Sequence, residues 1–122
     1  MTTRYAYGRA LEYQIQAELG QFGYTTMRSS GSKGLIDVIA MRQGEYLFIQ
    51  AKRNGRLDPG EWNALYRLAQ ENHAKAILAL KKESGIGNRY WLLCGEKIPR
   101  SRERPLRVWI PSERGQGAMF QE

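Results

Sequence analysis

The sequence is short of the residues that cross-link a chain or grip a soft metal. It has one cysteine, Cys94, and one histidine, His73. A lone cysteine excludes an intrachain disulfide and fits a reducing compartment. One Cys and one His also exclude a Cys/His zinc site within a single chain, so any metal must be held by oxygen ligands. No apolar run approaches the roughly 18–20 residues a membrane span requires. The opening Met1-Thr2-Thr3-Arg4-Tyr5 lacks the apolar stretch of a secretory signal. Acids are scarce too: 12 Asp+Glu against 19 Lys+Arg leave a net charge of +7. That excess serves solubility in small domains, and it equally suits a polyanionic partner.

What is present is enough for a core. The chain has 122 residues, 42% of them hydrophobic and 11% aromatic. Length and composition predict one domain over 1–122. Leu11, Ile15, Leu19 and Phe22 recur on one helical face, so Tyr5 to Gln21 reads as a helix, closed by Gly20 and Gly23. Strands are expected at Tyr24–Arg28, Leu35–Arg42 and Glu45–Lys52, with a loop over Ser29–Gly34. Gln43-Gly44 suits a tight hairpin between the second and third strands. Asp58-Pro59-Gly60-Glu61 announces a helix: an N-cap, a proline at the first position and a capping-box acid, followed by Trp62, Leu65 and Ala69 on the apolar face. That helix should end near Asn72. Further strands are expected at Lys75–Lys81, Tyr90–Cys94 and Leu106–Ile110. The order predicts an α+β, α/β/α-like domain: a mixed central sheet flanked by helices. Residues 97–122 form a basic C-terminal segment with room to flex. Cys94 reads as core and His73 as a helix-end residue. Trp62 and Tyr66 read as core by default, with a twin subunit as the other use for such an aromatic pair.

The hairpin brings chemistry together. A two-residue turn sets Arg42 opposite Glu45 and therefore Asp37 opposite Gln50, with Cβ atoms about 4.5–5.5 Å apart. Lys52 projects from the same strand face as Gln50. Polar groups inside apolar strands are costly without partners. One reading is structural, an Asp37–Lys52 salt bridge with Gln50 beside it. The other is a metal site, in which Asp37 and Gln50 give oxygen ligands to Mg²⁺ and Lys52 either orients or helps deprotonate a metal-bound water or stabilises charge on a phosphate.

An acid, a gap, then an acid/amide–x–Lys triplet on a strand resembles the PD-(D/E)xK nuclease superfamily. The surroundings are more specific. Gly8-Arg9-Ala10-Leu11-Glu12, Gly23-Tyr24, Arg28-Ser29-Ser30-Gly31-Ser32-Lys33-Gly34, Asp37-Val38-Ile39-Ala40 and Ile49-Gln50-Ala51-Lys52 together resemble the archaeal-type Holliday junction resolvases and their viral and phage relatives. The likeness runs over about residues 5 to 80. It implies a restriction-endonuclease-like core in the order helix, three strands, helix, strand. It also implies a divalent-metal-dependent endonuclease that hydrolyses phosphodiesters at four-way junctions, in recombination, repair or DNA packaging.

The resemblance implies roles position by position. Glu12, Asp37 and Gln50 would hold the metal, Mg²⁺ with Mn²⁺ as the alternative. Lys52 would be the catalytic lysine, and Ser32 the loop serine near the scissile phosphate. Arg9, Arg28, Lys33, Arg53 and Arg56 would meet DNA. Gln50 departs from the family, which usually has glutamate there; the amide keeps an oxygen ligand and removes a charge. Periodicity does not choose Glu12, because Glu12 and Glu18 lie about 65° and 55° to either side of the apolar stripe. A homodimer is implied, since two identical sites suit two strands to be cut. No membrane and no small-molecule cofactor are expected, and the place is the cytoplasm, that of a host if the protein is viral. The rival readings are a related nuclease acting on other branched or duplex DNA, and a junction-binding module with weakened catalysis.

Overall fold

In the computed structural model of the chain, residues 4–29, 34–53, 56–81 and 89–112 are described. The apolar stripe of the first helix, α1 (Arg4–Gln21), buries Leu11, Ile15 and Leu19. The helix closes as Tyr24 N–H reaches back to Leu19 O at 3.2 Å, with Gly23 at φ 88° allowing the reversal. Three strands follow: β1 (Thr25–Arg28), β2 (Val38–Arg42) and β3 (Glu45–Lys52). Gln43 and Gly44 both take positive φ, 49° and 82°, as a two-residue type I′ hairpin turn demands. The register is the expected one, Arg42 against Glu45 through Val38 against Ile49.

A second helix, α2 (Pro59–Glu71), carries the chain over to β4 (Lys75–Leu80), which pairs parallel with β3. A parallel neighbour needs such a crossover. β5 (Tyr90–Leu93) and β6 (Leu106–Trp109) add antiparallel to complete a sheet of order β1-β2-β3-β4-β5-β6. Strand alternation feeds two cores. Leu47, Ile49, Ile77 and Ala79 face α1, whereas Ala76 and Leu78 face α2 with Trp62, Leu65 and Ala69. The nearly unbroken apolar run of β4 is thus a strand covered on both sides.

Several expectations are corrected. β2 begins at Val38, three residues later than expected, so Asp37 stands just before the strand. Its backbone continues the ladder nonetheless, since Asp37 N–H donates to Ile49 O at 2.8 Å. β1 begins at Thr25, and β4, β5 and β6 each end one residue early. Cys94 is exposed, because it lies one residue past β5, whose inward position there is Leu93. Trp62 is wholly buried, with Nε1–H donating to Gly95 O at 2.8 Å, so its ring is core. Within the basic C-terminal segment the described part runs to residue 112 and includes β6.

Candidate active site

α2 starts where β3 ends, and β4, parallel to β3, ends at the same end of the strands. Crossover folds place their ligand sites beyond the carboxyl ends of such strands. Asp37, Gln50 and Lys52 stand there, brought together by the hairpin register. Asp37 Oδ2 accepts the Ala51 N–H at 2.7 Å, which orients the carboxylate from across the hairpin. Burial pushes the Asp37 carboxyl above its ordinary value; the Ala51 hydrogen bond opposes that, and the charges of Glu12 and Glu61 add to it. The Lys52 charge acts in the opposite sense.

Gln50 is buried, at 8% exposure, and its amide makes no side-chain hydrogen bond among the described residues. Its amide atoms are not among the buried polar atoms left without a partner, so what remains exposed of Gln50 can meet solvent or a ligand.

The two candidate glutamates of α1 are told apart by what they meet. Glu18 accepts from Tyr90 Oη at 2.7 Å and lies 2.9 Å from Arg89 Nε, fastening α1 to β5. Glu12 instead faces β1, where Arg28 Nη1 donates to its Oε1 at 3.0 Å. Arg28 also stacks over the Tyr13 ring at 4.9 Å. Of the residues expected at DNA, Arg28 is therefore engaged with Glu12, while Arg53 and Arg56 are exposed and Arg9 is half-buried. Ser32 and Lys33 lie outside the described residues.

Lys52 does not form the salt bridge with Asp37 that a purely structural reading requires. Its Nζ lies 3.4 Å from Glu61 Oε2. Glu61 is the residue that sequence reasoning missed. It reads as a capping acid, and its N–H does accept that role, donating to Asp58 Oδ1 at 2.8 Å. Its carboxylate, however, turns to Lys52 and into the field of Asp37. The available signal was topological: a helix that follows a strand into a parallel crossover starts where that strand ends.

Among the described residues no three His, Cys, Asp or Glu side chains cluster as a ready cation site. The donors present nonetheless fit a hard divalent cation. The Asp37 carboxyl and the Gln50 side-chain carbonyl are both oxygen donors, and the Gln50 amide makes no side-chain hydrogen bond among the described residues. A half-buried carboxyl and an amide thus stand beside a lysine at one end of a mixed sheet.

The family is settled by comparison. The model of the archaeal Holliday junction resolvase family, Hjc, matches residues 3–111. The chain belongs to that family, and its activity is junction-resolving DNA endonuclease. No curated protein matches it by sequence. Among solved structures, Hjc from Archaeoglobus fulgidus, a Holliday junction resolvase from an archaeal hyperthermophile, superposes with a TM-score of 0.57. It is 24% identical over 70% of each chain, a likeness of fold. Among the described residues no helix is long and apolar enough to cross a membrane.

Proposed function

We propose that Glu12, Asp37 and Gln50 hold the divalent cation, Mg²⁺ or Mn²⁺, and that Lys52 stabilises charge developing on the scissile phosphate of a four-way junction. The observation that carries this reading is Asp37. It is a half-buried carboxyl fixed by the Ala51 N–H, within reach of the charges of Glu12, Lys52 and Glu61, at the end of the hairpin that carries Gln50. The cation, when bound, supplies Lewis-acid charge that neutralises the phosphate and makes water a better nucleophile. The Ala51 N–H keeps the Asp37 carboxylate from rotating away. Glu61 holds the Lys52 ammonium at the site edge, ready to meet negative charge. As a metal ligand Glu12 would have to leave Arg28, and that guanidinium would then be available to the phosphate backbone together with Arg9, Arg53 and Arg56. Ser32 and Lys33, outside the described residues, are assigned to the scissile phosphate by the family resemblance alone. A twofold homodimer presents two such sites to the two strands to be cut. The setting is recombination, repair or DNA packaging.

The experiment pairs metal binding with cleavage. Mg²⁺ should raise the melting temperature of the wild type and leave that of Asp37→Asn unchanged. The same variant should bind a four-way junction and fail to cut it. Equal Mg²⁺ stabilisation of both proteins would overturn the ligand assignment.

A further inference from the structure

A second basic site lies beside the first. The chain between β5 and β6 turns back over the start of α2, and the two enclose a groove of about 480 Å³. Arg56, Lys97, Arg102 and Arg104 line it with four cations, against one carboxylate from Asp58. The outer wall is fixed in place. Asn63 donates to Lys97 O at 3.0 Å and accepts from Lys97 N–H at 2.7 Å. Arg67 forks onto Glu96 at 2.8 and 3.0 Å. The Lys97 ammonium donates to the carbonyls of Ile98 and Ser101 and so closes the turn. Arg104 rests over the buried Trp62 ring at 5.7 Å. Lys97 is thus spent on the loop itself, whereas Arg102 and Arg104 are exposed guanidiniums on a rigid support.

The helix end is not the attraction. Asp58 already caps α2, so the positive end of its dipole is satisfied. The positive charge comes from arginine side chains, whose planar forks match phosphate oxygens. The groove also adjoins the active site: Asp58 feels the Lys52 charge, and Arg56 sits in the loop between β3 and α2.

We propose that this groove seats the phosphate backbone of a junction arm outside the cleaved step, giving affinity and register but no chemistry. The proposal rests on the nuclease reading of the neighbouring pocket. Contacts of this kind position a protein on DNA. A strand leaving the pocket past Lys52 meets Arg56 first and then Arg102 and Arg104.

The test uses Asp37→Asn as a protein that binds without cutting. Adding Arg102→Glu and Arg104→Glu should weaken four-way junction binding roughly tenfold or more near 0.1 M salt, and lower the log–log salt slope by about 0.9 per lost contact. Arg107→Glu, on the α1 side of β6, should leave that slope unchanged. Asp58→Asn keeps the cap and removes the groove carboxylate, so it should tighten binding by about two- to threefold. Unchanged affinity and slope in the double arginine variant, or no tightening in Asp58→Asn, would overturn the groove alone. If Asp37→Asn binds no junction in the first place, the nuclease reading falls with it.

Discussion

Asp37 carries its charge at a cost. Its carboxyl is raised because burial disfavours the ionised form, with Glu12 and Glu61 adding repulsion. The folded chain therefore binds that proton more tightly than the unfolded chain does. Below the ordinary Asp value of 3.8 both states are protonated and the site costs nothing. As pH rises through the window from 3.8 to the higher folded value, ionised Asp37 subtracts stability, and the loss persists above it. Asn is neutral throughout and keeps an acceptor for the Ala51 N–H. In EDTA, Asp37→Asn should melt with the wild type near pH 3 and above it at pH 7. A lower melting temperature at pH 7 would favour a structural salt bridge. Gln50→Glu should act in the opposite sense. It should lower the half-saturating Mg²⁺ concentration for cleavage and, without metal, lower the melting temperature by adding a buried charge.

The hairpin and α2 carry these side chains, and α2 has two measurable supports. Asp58→Ala removes the N-cap and should cost about 1 kcal/mol of stability in urea unfolding. Trp62→Ala should cost about 3–5 kcal/mol, since the whole ring is buried and its N–H is spent on Gly95. Both features were legible in the sequence. Asp58-Pro59-x-Glu61 is a local signal, and a two-residue turn leaves one register, so Asp37 could be set against Gln50 by counting. What could not be read is what depends on rotamers and on the far side of the fold. Glu61 serves the cap through its backbone and Lys52 through its side chain, and only packing shows the second. Glu12 and Glu18 are symmetrical on a helical wheel, and β1 and β5 distinguish them. Cys94 lost its inward place because β5 stops one residue short, a boundary that propensity does not resolve.

The charge of +7 has a geography. Arg53, Arg56 and the groove arginines are exposed, whereas Glu12 and Glu61, whose charges act on Asp37, are paired with Arg28 and Lys52. At the other end of β3 and β4, Glu45 accepts from Tyr24, Lys75 and Arg42 at 2.7, 2.8 and 3.2 Å. Polarity of this kind fits an enzyme that meets DNA with one end. Light scattering should give twice the chain mass if the proposed homodimer forms. The central claim is tested most directly by cleavage of a four-way junction in Mg²⁺, wild type against Asp37→Ala, beside a linear duplex of the same sequence. The expected result is paired nicks at the junction by the wild type, none by the variant, and an intact duplex. Cleavage by Asp37→Ala, or equal cutting of the duplex, would contradict it.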